Sequence, residues 1–312
     1  MRTRSLPLLL LLALPALADS PAPTRLHFAW PDGMRAQVEL HLTGERRTTG
    51  APQRHDARTT FTLSTEKKDG ELWVKREALG AWKGTLPDKL GSPADRLVDR
   101  IPVTRVSPEG TFLGIEGTDE TREAFGREVK RSSLDPAHRK IFETMTSDAA
   151  LRGVAVDFWN MSVGLWTQLE LGPGDTHEMR NRTAVPQLGG GSLDMVLTAR
   201  WVGPAACADE KTPRCVELEL TSAPDPEQVG QLVGKALASA GGKGLVVEAF
   251  AVTQELRAVV EADTLRPHRL TLRRSNTMRI RAPGGRVESG SERAERAYVF
   301  RYTTPAPAPT TP

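Results

Sequence analysis

From Met34 the chain alternates strictly between apolar and polar positions. Met34, Ala36, Val38, Leu40 and Leu42 fall on one side, and Arg35, Gln37, Glu39, His41 and Thr43 on the other. Period two with one apolar side predicts a half-buried strand. The same pattern recurs over Arg58–Thr65 and Glu71–Lys75, joined by Lys67-Lys68-Asp69-Gly70, which carries the Asp-Gly hairpin dipeptide. Residues 80–99 are rich in Gly, Pro, Asp and Lys and predict a long loop. Two further strands, Ile101–Val106 and Thr111–Ile115, flank the turn Ser107-Pro108-Glu109-Gly110.

Helical signals follow. Thr118 with Asp119 and Glu120 suits a helix start. Asp135-Pro136 predicts a second helix, with Pro at its first position. Ser147-Asp148 opens a third, carrying Leu151, Val154, Phe158 and Met161. Alternation returns after Trp166, past the turn Gly172-Pro173-Gly174-Asp175. It runs over Asp194–Trp201 and Val216–Leu220, with a flexible break at Leu188–Ser192 before them. The clearest helix begins at Asp225-Pro226, because Val229, Leu232, Val233, Ala236 and Leu237 keep helical spacing until Gly241. The rest reads as strands at Leu245–Thr253, Glu255–Ala262, His268–Arg274, Thr277–Arg281 and Arg293–Thr303.

Strand runs interrupted by segregated helices predict an α+β protein. The expected form is a curved antiparallel sheet, a half-barrel, packed on three or four helices. One β-rich domain over 26–303 is expected, and the helical middle invites a division into halves 26–165 and 166–303.

The start of the chain changes the picture. Arg2 and Arg4 precede an apolar run from Leu6 to Leu17, and Ala16-Leu17-Ala18 has the small-x-small form of a cleavage site. Together these predict a signal peptide over 1–18 and an exported protein, periplasmic or secreted. No segment is long and apolar enough to predict a transmembrane helix. Removing 1–18 takes away Arg2 and Arg4 and no acid, so formal net charge falls from +3 to +1. That near-balance argues against a nucleic-acid partner. The Pro/Ala/Thr tail 304–312 predicts disorder. Two cysteines in an exported chain, Cys207 and Cys215, predict one disulfide across a short polar loop. Metal ligation by them is the weaker reading, since no His or further Cys stands at ligand spacing in the sequence.

Candidate chemistry is thin. His27, His41 and His55 recur at a fixed interval but lack ligands beside them, so no metal is expected. Asp175-Thr176-His177-Glu178 gathers acid, hydroxyl and imidazole, yet its turn chemistry predicts a loop entering a strand. Gly189-Gly190-Gly191-Ser192 lacks the Lys of a phosphate loop. No nucleophile or metal-protease motif is present, so no cofactor and no enzymatic activity are expected. Arg269 and Arg273 share the outer face of one predicted strand, with Arg279 and Arg281 on the next. They form a stripe that could attract anionic headgroups, set against the reading of a solvated sheet face. Trp73 falls with the polar set of its strand, opposite Leu72 and Val74, which predicts either a sheet buried on both sides there or an aromatic in a cleft.

Several stretches carry a resemblance. They are Ser107-Pro108-Glu109-Gly110, Leu165-Trp166-Thr167 leading into Leu169, Gly172-Pro173-Gly174-Asp175-Thr176, and Val259 through Leu270. In these the chain resembles a group of exported bacterial proteins similar to the lipoprotein-carrier (LolA/LppX-like) half-barrel superfamily. The resemblance implies a curved sheet over helices whose concave face holds lipid or another apolar ligand, and it transfers no ligand-contacting residue. The alternative expectation is a structural module that engages another envelope protein.

Overall fold

The computed structural model describes residues 26–48, 51–77, 79–85, 102–131, 146–185, 191–208, 215–239 and 244–303. The predicted signal peptide, the Asp135-Pro136 helix, most of the 80–99 loop and the C-terminal tail lie outside them.

The strands, in chain order, are β1 (Arg35–Arg47), β2 (Gln53–Lys68), β3 (Glu71–Glu77), β4 (Lys83–Thr85), β5 (Val103–Val106) and β6 (Phe112–Glu116). Helices α1 (Thr118–Arg131) and α2 (Asp148–Trp159) follow. A π-helical turn at Asn160–Gly164 and a 3-10 turn at Trp166–Gln168 continue from α2. Then come β7 (Thr176–Val185), β8 (Gly191–Ala205), β9 (Cys215–Pro224), helix α3 (Pro226–Ser239), β10 (Val246–Glu261), β11 (Pro267–Arg281) and β12 (Val287–Thr303). All described strands join one 12-stranded sheet in the order β6-β5-β3-β2-β1-β12-β11-β10-β9-β8-β7, with β4 beside β2.

Local chemistry explains the pieces. In β1, Ala36, Val38 and Leu40 are fully buried while Arg35 and Gln37 are exposed, as alternation requires. Asp69 and Gly70 both take positive φ (52° and 80°), the geometry of the two-residue turn that joins β2 to β3. The Ser147 side chain accepts the Ala150 N–H and caps α2. Asp225 does the same for α3, accepting the N–H groups of Glu227 and Gln228.

The expectation of an α+β protein is overturned. Of the described residues 58% are in strands against 19% in helices, and the three helices lie against one large open antiparallel sheet that dominates the fold. Two pairs of predicted strands are single long strands, Val246–Glu261 and Pro267–Arg281. Gln254, Ser275 and Asn276 interrupt the apolar pattern but not the backbone ladders, which β9, β11 and β12 complete on both sides. Nor does the chain split into two sheets at its helical middle. β1 pairs with β12 along its whole length, Val38 opposite Phe300 and Leu40 opposite Tyr298, so the first and last strands meet in the centre of one sheet.

The main core lies on one face of this sheet, hereafter the inner face. Trp159, Trp166, Tyr298 and Phe300 are its largest fully buried side chains. It takes in residues of both flanks, Val106 of β5 and Trp201 of β8. Trp159 fastens α2 to the β5–β6 turn, for its indole N–H donates to the Gly110 carbonyl there at 2.9 Å. Its ring meets Phe28 and Trp30 edge-on. Gly110 holds φ +86°, and a Cβ there would lie 2.7 Å from the Phe28 ring, so only glycine suits this close approach. A second, smaller core under α3 joins Leu193, Val229 and Val233, with Phe250 and Met278 packed against it.

Candidate functional site

The densest polar arrangement lies where β10 turns into β11. A register shift at Val259/Val260 marks the end of β10, and Val259, Val260, Glu261 and Ala262 are all buried there. The Glu261 carboxylate accepts from His268 Nε2 (2.9 Å), from Arg266 through two nitrogens (both 2.8 Å) and from Thr264 Oγ1 (2.6 Å). Burial would push this carboxyl up. The hydrogen bonds from His268, Arg266 and Thr264 outweigh it and hold Glu261 down at about 2. His268 is fully buried, and its Nδ1 accepts the Ala208 N–H at 3.2 Å. That bond places the ring proton on Nε2, facing Glu261. Tyr302 packs edge-on against the imidazole, and its hydroxyl donates to the Pro267 carbonyl at 2.8 Å.

The expected disulfide is present. Cys207 and Cys215 are bonded, with Cα atoms 5.4 Å apart. It lies directly beside His268, since both sulfurs and a ring nitrogen fall within 4.8 Å of one another. Replacing both cysteines by serine is expected to lower the unfolding free energy by about 2–3 kcal/mol, the chain-entropy value for so short a loop. Urea denaturation reads this, and an unchanged midpoint would mean that the Ala208–His268 bond alone holds the loop.

The outer face is a lattice of cross-strand ion pairs. Arg269, Arg273, Arg279 and Arg281 all lie on β11, not on two strands, and alternation puts them on the outer face together. They are not a free cationic stripe. Arg273 donates to Glu295 at 2.7 Å, Arg279 meets Glu248 at 2.9 Å, Arg281 donates to the same Glu248 at 2.6 Å, and Arg269 donates to the Ala206 carbonyl at 2.6 Å. Trp73 also faces outward. It is half-buried, with Glu66 and Arg105 opposite it on the neighbouring strands and the Lys68 ammonium 4.2 Å above its ring. It stands among the charged side chains of the outer face. A cleft of about 740 Å3 crosses β2, β1, β12, β11 and β10, with Glu45, Arg54, Asp56, Arg273, Arg293 and Glu295 in its walls. Charges of both signs stand side by side in it, so it favours neither cations nor anions.

The inner face beyond the main core is different. Along β10 the inward series runs Ala258, Leu256, Gln254, Val252, Phe250. Along β11 it runs Leu270, Leu272, Arg274, Asn276, Met278. A polar belt thus separates the main core from the apolar zone under α3. Arg274 donates to Gln254 at 3.1 Å. Arg296, one register row along on β12, shares the belt, and Asp157 of α2 interacts electrostatically with both arginines. All three side chains reach solvent. Asp157 and Arg274 are nonetheless partly withdrawn from water. Burial raises the Asp157 pKa against the pull of Arg274 and Arg296, and burial followed by the repulsion of Arg296 lowers that of Arg274. Gly44 and Ala294 give the same row a floor without bulk, with the His55 ring lying over Gly44.

Other expectations resolve simply. His27, His41 and His55 are not gathered. His27 sits in the N-terminal segment bonded to Ala262, His41 pairs with Asp56 at 2.9 Å on the outer face, and His55 faces inward. Asp175 accepts the Gly172 N–H at 2.8 Å and closes a turn, and Thr176, His177 and Glu178 begin an exposed strand. The Glu261–His268 cluster and the Asp157–Arg274–Arg296 group escaped sequence reading. The only local signal was the apolar run Ala258–Ala262 continuing through an acid, which marks Glu261 as a buried carboxylate in need of partners.

No family model matches the chain, and no curated protein matches it. Among solved structures, one of lipovitellin, titled for its lipid–protein interactions, is similar at a TM-score of 0.42 and 10% identity, over 91% of this chain and 27% of that one. The chain therefore spans about a quarter of the length of that structure. An outer membrane channel from Pseudomonas putida F1 is similar at a TM-score of 0.20 and 9% identity, over 88% of this chain and 98% of that one. Both likenesses are too distant to bear on function, and no family match supports the resemblance to the lipoprotein carriers. No helix among the described residues is long and apolar enough to cross a membrane.

Proposed function

We propose that this is an exported, non-enzymatic binding protein that holds an amphipathic molecule, apolar at one end and anionic at the other, on the inner face of its sheet. The observation that carries the reading is the belt of Arg274 and Arg296 between two apolar zones of one continuous face. Arg274 and Arg296 stand there with two carboxylates, Asp157 and Glu292, so the belt is polar and of mixed charge, and the partial desolvation of Arg274 strengthens its attraction for an anion. Half-buried Leu197, Leu272 and Met179 on one side, and Met195, Phe250 and Met278 on the other, offer apolar contact for a chain lying across the belt. The disulfide supports an oxidising compartment. The fully buried His268, with both ring nitrogens engaged, reads as a clamp and not as a general base.

The test is a titration of the full chain with a fluorescent fatty acid. Arg274→Gln with Arg296→Gln is expected to weaken binding at least tenfold, the effect of losing about 1.5–3 kcal/mol of charge-assisted bonding. Arg279→Gln on the outer face should leave it unchanged. Equal binding by the wild type and the double variant would remove the inner face from the account.

A second reading, a protein-interaction module, is favoured by one observation. The main core holds Trp159, Trp166, Tyr298 and Phe300, and among the described residues the sheet ends in the edge strands β6 and β7. It predicts no binding of the fatty acid by either protein.

A further inference from the structure

We propose that Cys207, Cys215 and His268 form a divalent-metal site, specifically for zinc, when the disulfide is reduced. The sequence separates His268 from Cys215 by most of α3, β9 and β10, so only the fold reveals the grouping. Each residue offers one ligand atom, and the three atoms lie within 4.8 Å of one another. A tetrahedral zinc ion with bonds of about 2.3 Å to sulfur and 2.0–2.1 Å to nitrogen needs its ligands about 3.5–3.8 Å apart. The imidazole therefore stands nearly in place, and only the two sulfurs must separate. The Cα–Cα distance of 5.4 Å accommodates that with side-chain rotation.

The surroundings of His268 suit a ligand. Its Nε2–H donates to the Glu261 carboxylate at 2.9 Å, leaving Nδ1 directed at the cysteine loop. A carboxylate behind a histidine fixes the ring orientation and raises the basicity of the opposite nitrogen, as in many zinc centres. Glu261 is itself fastened by Arg266 and Thr264, so the ligand is rigid before any metal arrives. The Nδ1 lone pair now accepts the Ala208 N–H, and metal binding would exchange that bond for the metal. A water molecule would complete the tetrahedron.

The chemistry balances with a thiol reductant. Two reductant thiols pass two electrons to the Cys207–Cys215 bond, yielding two protein thiols and one reductant disulfide. Zinc then displaces a proton from each thiol, giving two thiolate–metal bonds and releasing two protons. Exchange with the reductant's disulfide runs the steps backwards: that disulfide takes up two electrons and two protons to become two thiols, the Cys207–Cys215 bond re-forms and the metal is released, so the site would report the thiol–disulfide balance of its compartment.

The experiment adds Co2+ to the full chain before and after reduction by a phosphine that does not bind the metal. Expected is one equivalent bound only after reduction, with a thiolate-to-cobalt charge-transfer band and tetrahedral d–d bands. Zn2+ should displace it. His268→Gln should weaken binding at least tenfold. Because His268 is fully buried and that variant could unfold, X-ray absorption on the wild-type zinc form supplies an independent reading. Two sulfur and at least one nitrogen neighbour support the site. A reduced wild type that binds no more cobalt than Cys207→Ser with Cys215→Ser would overturn it, as would a zinc shell of sulfur and oxygen without nitrogen.

Discussion

Trp159→Ala should cost the protein about 3–5 kcal/mol of unfolding free energy, the range for removing a large buried aromatic. Trp159 is 1% exposed and packs edge-on against Phe28 and Trp30. Truncation leaves a cavity where α2, the N-terminal segment and the β5–β6 turn meet. It also strands the Gly110 carbonyl, which loses its indole donor inside the core. Guanidinium denaturation of both proteins measures the difference. Trp159→Phe separates the two effects, since it keeps most of the volume and should recover more than half of the loss. A loss below about 1 kcal/mol for the alanine variant would mean that this junction does not hold α2 and the N-terminal segment to the β5–β6 turn.

The second large effect is a stability that depends on acid. Glu261 has a folded pKa of about 2, against an ordinary value of 4.5. A carboxylate depressed on folding adds stability that is fully present above its unfolded pKa. That stability is lost as pH falls through the folded value. The window therefore runs from about pH 5 down to about pH 2. With the Glu261 side chain only 7% exposed, the contribution is about 3 kcal/mol at neutral pH, on the scale of 1.36 kcal/mol per unit of pKa shift. Glu261→Gln should be less stable than the wild type at pH 7, and the two should converge as the pH approaches 2. Parallel curves over that range would show that His268, Arg266 and Thr264 do not hold the carboxylate as charged.

What could be read from the sequence was local. The alternation at Met34–Thr43, the Asp69-Gly70 turn, the caps at Ser147 and Asp225 and the Cys207–Cys215 bridge depend on neighbours in the chain, and the structure contains each of them. The balance of the fold did not depend on neighbours. Gln254 and Ser275-Asn276 looked like strand ends because they break the apolar pattern. They lie mid-strand because ladders on both sides satisfy their backbones. That lengthening turned an expected α+β protein into one dominated by a single sheet. The pairing of β1 with β12, a contact between the two ends of the chain, carries no local mark at all.

The candidate site was hidden for the same reason. Arg279 and Arg281 drew attention as a stripe, but Glu248, in the register shift between Val247 and Ala249 of a neighbouring strand, pairs with both. Arg274 looked like one more surface arginine. Its inward parity matters only because Asp157 and Arg296 arrive beside it from α2 and β12.

The most direct test of the binding account is native mass spectrometry of the protein purified from its own exported fraction, followed by solvent extraction. The account predicts a near-stoichiometric amphipathic adduct that carries an anionic group and is lost from the Arg274→Gln, Arg296→Gln protein. A clean apo mass from that fraction, unchanged on adding a fatty acid in excess, would contradict it.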